Sequence, residues 1–133
     1  MKLTTKSEYS LLSLIFIARN QNKNFIKTDD ICSYYNIPKK YLEQLLIILK
    51  NNRYIKAKRG AGGGYKLNKT PQEISIAEIV RLMDGALAPT ESVSTYFYSI
   101  TPLTKEENVL KIFKKIRDFI ADILENTTLK DLL

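Results

Sequence analysis

Histidine is absent from this 133-residue chain, and cysteine occurs only once. Without histidine the most common general base is missing, so the composition favours a protein that is not an enzyme. A single cysteine excludes an internal disulfide and suits a reducing compartment. A metal site would have to be built from carboxylates or shared between chains.

Long apolar runs are also missing. Runs such as Leu14–Ala18 are far too short to span a bilayer. The first eight residues carry charge where a signal peptide needs an apolar stretch. We therefore expect a cytoplasmic protein without a membrane partner, built as one domain or a small domain with an appendage. The apolar fraction, 44%, is enough for a packed core.

Positive charge is concentrated in one part of the chain. Residues 39–69 contain nine lysines and arginines and a single acid, Glu43, whereas the net charge of the whole chain is +7. A local positive field of this kind is typical of proteins that bind the phosphate backbone of nucleic acids. The alternative is a solvated surface of a lysine-rich protein.

Three helices are predicted in the first 51 residues. The first covers 6–20, and the second covers 29–35 with Thr28 as its N-cap. The third runs from Lys39 to Asn51, with leucines at 42, 45, 46 and 49 as a core stripe. A second face, polar at its start, carries Lys40, Glu43 and Gln44. Two helices joined by a short turn, the second with polar residues on its free face, indicate a helix-turn-helix.

A basic hairpin is predicted next, with strands at 54–58 and 65–67. Arg59–Gly64 forms the turn and holds four of the five glycines in the chain. A plain flexible hairpin and a nucleotide-phosphate loop are alternatives, but the Gly-Lys-Ser/Thr of a P-loop is missing. A hairpin directly after a helix-turn-helix is better interpreted as a wing.

In the last part of the chain, the residue pattern predicts a short helix, a long connection and a long helix. Ser75 caps a helix over 76–83, and Gly85 ends it. A connection over 86–103 follows. The long helix begins at Thr104, with Thr104 and Glu107 as a capping box, and ends near Asn126. Its apolar stripe also contains Leu124 and indicates a dimer interface made by Val109, Ile112, Phe113, Ile116, Ile120 and Ile123. The alternative is that this helix packs only on its own domain.

Several motifs in this order resemble one family. They are the N-terminal segment Met1–Tyr9, the run Tyr41–Leu45 and the glycine loop 59–65, supported by residues 76–80 and 128–132. Together they resemble the Rrf-two family of bacterial winged-helix transcription regulators over essentially the whole chain. The resemblance implies a homodimer whose recognition helices enter the major groove and whose wings reach toward the minor groove.

The resemblance also implies a set of DNA-binding residues. Base-reading positions fall on Lys40, Tyr41, Glu43 and Gln44, and the chemistry agrees, since a carboxylate can accept from cytosine and glutamine can pair with adenine. An alternative for Glu43 is a solvent-exposed pair with Lys39 or Lys40. The remaining predicted DNA contacts are Thr28, Lys39, Lys58, Arg59, Gly60, Gly62, Gly63 and Gly64.

Cluster-binding members of this family carry three cysteines before the long helix, and residues 86–103 contain none. We therefore expect no cofactor and no metal, as in the cluster-free, CymR-like branch, whose members answer to a partner protein or to redox state. Cys32 lies on the second helix. It is either a small buried hydrophobe or a redox-active thiol.

The expected fold is mainly α with a small β-hairpin. Residues 1–85 form a winged helix-turn-helix, 86–103 a connection, and 104–133 the dimerisation helix and tail. The expected function is that of a homodimeric, sequence-specific regulator of double-stranded DNA, acting as a repressor. The alternatives are a protein-interaction module controlled by a metabolic enzyme, and a non-specific nucleic-acid binder.

Overall fold

The computed structural model describes residues 1–22 and 24–133. Its elements confirm a mainly helical chain with one antiparallel hairpin. In chain order they are α1 (Thr5–Asn20), α2 (Thr28–Tyr35), α3 (Lys39–Asn51), β1 (Ile55–Lys58), β2 (Gly64–Leu67), α4 (Ile76–Asp84) and α5 (Glu107–Asn126). Within the described residues, no helix is both long and apolar enough to cross a membrane.

The core lies among α1, α3, the hairpin and α4. The predicted stripe of α3 is confirmed, because Leu42, Leu45, Leu46 and Leu49 are all at most 2% exposed. Helix α1 faces this core with Leu14 and Ile17, and three serines lie buried along the same helix. Such small side chains let neighbouring helices approach closely.

One carboxylate joins the start of α1 to the end of α4. Asp84 accepts hydrogen bonds from the Thr4 backbone N–H at 2.8 Å and from the Ser7 hydroxyl at 2.7 Å. Burial alone would raise the pKa of Asp84, but a hydrogen bond from the Thr4 hydroxyl together with these two outweighs it and holds that pKa below its ordinary value. The carboxylate thus fixes the position of α1 against α4.

The predicted N-cap of α2 is wrong by one residue. Lys27 is the extended residue before the helix (φ −80°, ψ 144°), and Thr28 is already helical. Helix α2 therefore begins one residue earlier than predicted. Just before it, Ile26 pairs with Tyr65 of β2 through two backbone hydrogen bonds of 2.8 Å.

Helix α4 begins where predicted and ends one residue later than predicted, at Asp84. Ser75 accepts from the Glu78 backbone N–H at 3.2 Å, and the Glu78 carboxylate accepts from the Ser75 N–H at 2.8 Å. Gly85 ends the helix with φ at +85°. The C-terminal tail returns to this region, since the Leu129 N–H donates to Ile74 at 2.8 Å and the Leu129 side chain is fully buried.

The predicted start of the long helix is wrong. Helix α5 begins at Glu107, and Thr104 belongs to a separate 3₁₀ turn, Pro102–Lys105. Thr104 bonds back to Thr101 rather than forward to Glu107. Proline starts this turn because its fixed φ is compatible with a first helical position. Glu106 then leaves the helical region (φ −114°, ψ 84°) before α5 begins.

Candidate nucleic-acid interface

The outward face of α3 carries the predicted base-reading residues. Lys40, Glu43, Gln44 and Ile47 are exposed, and the leucines on the opposite face hold the helix on the core. The turn between α2 and α3 is short because Asn36 adopts the left-handed conformation (φ 56°), and Pro38 precedes the first residue of α3. This geometry presents the first two turns of α3 to solvent.

Lys39 is tied to the neighbouring helix. Its Nζ lies 2.9 Å from Oδ1 of Asp29 in the first turn of α2. The hydrogen bond to Asp29 raises the pKa of Lys39, and the charge of Asp29 adds to the effect. Among residues 1–22 and 24–133 no ion pair involves Glu43. The solvent-exposed pair considered for Glu43 is therefore not formed here.

Tyr41 is half-buried between α3 and α1. Its ring packs edge-on against Tyr9 with centroids 5.7 Å apart and an interplanar angle of 82°. Its hydroxyl lies 3.2 Å from the Thr5 hydroxyl at the start of α1. These contacts give Tyr41 a role in seating α3 against α1, and its base contact stays a prediction.

The hairpin has one face toward the core and one toward solvent. Ile55 pairs with Leu67 and both are buried, whereas Lys56 pairs with Lys66 on the other face. Because side chains alternate along a strand, Lys58 lies on the same outer face as Lys56. The wing therefore concentrates lysines on its outer face.

Glycine is required in the wing turn for two separate reasons. Gly62 has φ at +74°, where other residues are strained. Gly64 faces the backbone of Ile26, and a Cβ there would collide with the Ile26 carbonyl group. The prediction that only glycines make this turn freely is confirmed for these positions.

The recognition helix and the wing lie close to each other. Burial raises the pKa of Tyr65 on β2, and the nearby charge of Glu43 on α3 raises it further. Glu43 on the exposed face of α3 thus lies near β2 of the basic hairpin, and α3 also contacts β1. Sequence reasoning placed Lys66 in the basic segment but did not assign it to the site. It overlooked Phe25, whose position among polar residues before an Ile was the available signal.

Cys32 lies on α2 and is partly buried against the core. Burial raises the pKa of its thiol above the ordinary value, and the neighbouring carboxylate of Asp29 raises it further. Lys39 opposes this shift with a smaller effect. The thiolate is thus disfavoured near neutral pH, which supports the small-hydrophobe interpretation.

Helix α5 divides its apolar residues between two faces. One face packs on its own chain, where Leu124 contacts the cluster of Ile76, Ala77, Val80 and Leu87. Val109, Phe113 and Ile120 are half-buried on that side. The other face carries four side chains that are between 41% and 70% exposed: Ile112, Ile116, Phe119 and Ile123. Sequence reasoning merged the two faces and omitted Phe119.

The connection before α5 does not offer the ligands of an iron–sulfur cluster. Such clusters are held by cysteine thiolates, and the only cysteine of the chain is on α2. In the described part of the chain, no three side chains of the metal-binding types come together. The residues present therefore do not fit a cluster.

The helix-turn-helix, the adjoining basic hairpin and the exposed polar face of α3 define a winged helix-turn-helix protein of the DNA-binding class. Comparison with known proteins gives the same class. A family model named Rrf2 and described as an iron-dependent transcriptional regulator matches residues 3–133. The chain belongs to the Rrf2 family, and is a DNA-binding transcription regulator rather than an enzyme.

Individual relatives agree along the whole chain. The HTH-type transcriptional regulator CymR of Bacillus subtilis is 32% identical over 132 residues, which cover 99% of this chain and 89% of CymR. The HTH-type transcriptional regulator NsrR of Bacillus licheniformis is 30% identical, with coverage of 100% and 92%.

Solved structures show the same fold. The structure of CymR, described as the global cysteine regulator of B. subtilis, matches with a TM-score of 0.85 at 30% identity, covering 99% of this chain and 95% of that one. IscR of T. potens matches with a TM-score of 0.75 at 25% identity, with coverage of 99% and 85%.

Proposed function

We propose that this protein is a cytoplasmic, homodimeric repressor that binds specific double-stranded DNA without an iron–sulfur cluster. The single observation that supports the proposal is that the polar outward face of α3 lies beside the lysine-bearing hairpin, and together they are the surface that we propose for DNA. A polar helix face beside a lysine-rich hairpin combines base readout with phosphate attraction.

Each part of that surface has a separate task. Glu43 and Gln44 read base edges in the major groove, with Lys40 beside them. Thr28, Lys39, Lys58 and Arg59 contact the sugar–phosphate backbone. The wing glycines carry no side chain, so the backbone of the turn can approach the duplex closely; they are Gly60, Gly62, Gly63 and Gly64.

The exposed face of α5 supports the dimer. Ile112, Ile116, Phe119 and Ile123 are spaced four, three and four residues apart, which is the seam spacing of paired helices. An exposed apolar seam of this length is typical of a surface that another chain covers. Two copies pairing through it around a two-fold axis would present two recognition helices to two half-sites.

We also propose that the chain is divided into three segments. Residues 1–85 form the DNA-binding unit, 86–103 the connection, and 104–133 the dimerisation helix with its tail. The tail residue Leu129 lies in the core of the DNA-binding unit. This contact would transmit a shift of α5 to that unit.

The cluster-free assignment is supported by the donor set, since the connection offers only oxygen donors. Repression would follow from a bound dimer that occupies a promoter and excludes polymerase.

The test of the proposed function uses sheared DNA of the source bacterium. This DNA is incubated with protein purified without oxygen, and the retained fragments are sequenced. We expect a few discrete promoters, iron-free protein, and fewer transcripts from those promoters in vitro. Uniform coverage of the genome would contradict specific binding, and stoichiometric iron and sulfide would contradict the cluster-free assignment.

A second candidate function is control by a partner protein that binds the connection. Tyr96, Tyr98 and Ile100 are 71%, 58% and 80% exposed, which is unusual for large side chains without a partner. Replacing Tyr96 and Tyr98 by serine should alter regulation in cells and leave DNA binding by the purified protein unchanged. Unchanged regulation in cells would remove this candidate.

A further inference from the structure

Ile26, two residues before α2, forms an isolated antiparallel bridge with Tyr65 of the wing. Ile26 and Tyr65 exchange two backbone hydrogen bonds of 2.8 Å each. The approach is close enough that only glycine fits at position 64, beside the Ile26 carbonyl group. The wing is therefore tied at β2 to the extended segment before α2, a contact that sequence reasoning did not predict.

Alternation of side chains along this extended segment places Phe25 on the same side as the wing lysines. Ile26 is 7% exposed and faces the core, so its neighbour Phe25 faces the opposite, outer side. Lys58 and Lys66 occupy the same outer face of the hairpin. Their Nζ atoms lie 5.6 Å and 4.8 Å from the centroid of the Phe25 ring. Both distances are within the range of a cation–π interaction.

We propose that Phe25 is a positioning residue that holds Lys58 and Lys66 ready for DNA phosphates. The attraction of both ammonium groups to one ring offsets part of the repulsion between them. An ammonium group above a ring still has N–H donors free for phosphate oxygens. Lysine side chains lose rotamer freedom when they bind, and a side chain that is already restricted loses less. Phe25 would thus raise affinity for every DNA sequence.

This inference rests on the proposed DNA contact of the wing, and the first measurement is independent of DNA. The ring current of Phe25 should shift the Cε protons of Lys58 and Lys66 upfield in NMR spectra of the free protein. Phe25→Leu keeps an apolar side chain and should abolish these shifts, whereas Phe25→Tyr should keep them. If the Cε protons of Lys58 and Lys66 in the wild-type protein have the chemical shifts of ordinary exposed lysines, the contact with the Phe25 ring does not exist.

The second measurement is a double-mutant cycle on a random-sequence duplex between about 50 and 200 mM salt. Phe25→Leu should weaken binding roughly three- to tenfold without changing the salt slope. Phe25→Tyr should restore affinity. In a protein that already carries Lys58→Ala and Lys66→Ala, Phe25→Leu should have no further effect. Lys56→Ala, on the same face but without a ring contact in the described structure, is the matched control and should combine additively with Phe25→Leu.

The outcomes separate the two proposals. If the lysine substitutions leave the affinity and the salt slope unchanged, the proposed wing contact is wrong and the inference is overturned with it. If they weaken binding but Phe25→Leu does not, only the positioning role is overturned. Tighter binding by Phe25→Leu would mean that the ring withholds the lysines from DNA. If Phe25→Leu weakens DNA binding equally in the protein that carries Lys58→Ala and Lys66→Ala, Phe25 acts only through folding.

Discussion

Helices α3 and α5 both turn an apolar face toward the core of their own chain, and they differ in what they leave outside. The outward face of α3 is mostly polar and charged. The outward face of α5 carries four large apolar side chains in a seam, and none of its 20 residues is fully buried. The difference indicates two kinds of partner, a charged polymer for α3 and an apolar protein surface for α5.

The largest expected effect lies on the inward face of α3. Leu46 is 0% exposed and Ile47, its neighbour, is 48% exposed. Leu46→Ala should lower the free energy of unfolding by about 2–5 kcal/mol, because it leaves a cavity in the core. Ile47→Ala should change it by less than about 0.5 kcal/mol. Urea unfolding monitored by circular dichroism measures both, and equal effects would contradict the orientation of α3.

The outward seam of α5 should control assembly instead of folding. Ile116→Asp places a carboxylate twice in a symmetric interface and should weaken the dimer on the order of a hundredfold. Lys114→Gln makes the same change in net charge on another face and should leave the dimer intact. Sedimentation of both variants measures the effect. A wild-type protein that is monomeric at micromolar concentration would contradict the interface.

The outward face of α3 should control specificity. Gln44→Ala should cost about 1–3 kcal/mol on the specific site and relax the preference at one base pair per half-site. Gln72→Ala, an exposed glutamine outside the surface, is the control. Fluorescence anisotropy on specific and random duplexes measures the difference. An equal loss on both duplexes would exclude base reading by Gln44.

The smallest expected change concerns the wing tip and the salt dependence of binding. Removing Lys58 and Arg59 together should reduce the salt slope by roughly one to two units on any sequence. Removing Lys114 and Lys115 from α5 changes the net charge equally and should leave the slope unaltered. If the salt slope of the variant without Lys58 and Arg59 equals that of the wild-type protein, the wing does not contact the duplex.

Local spacing predicted most of the DNA-binding unit correctly. The leucine period of α3, the Ser75–Glu78 capping box and the glycine turn each depend on residues within one element or turn, so their pattern is visible in the sequence. Thr28 failed as a cap because α2 begins one residue earlier than predicted, with Lys27 as the last extended residue. Thr104 failed because Pro102 starts a separate 3₁₀ turn that includes it.

The site was predicted less completely than the fold. The sequence did not indicate a role for Phe25, because only the folded hairpin brings Lys58 and Lys66 over its ring. Phe119 was omitted because a periodicity analysis treated α5 as one stripe. The structure separates the side that packs on α4 from the side that faces solvent. Both omissions concern contacts between elements, which sequence spacing does not specify.

We propose that two copies of this chain, paired through α5, read DNA with two α3 helices. Selection of bound duplexes from a random pool by the wild-type protein is the decisive measurement. We expect a two-fold symmetric motif whose half-sites are centred about 10 base pairs, or a multiple of that, apart. A single unrepeated half-site would contradict the dimer, and the absence of any enriched motif would contradict sequence-specific recognition.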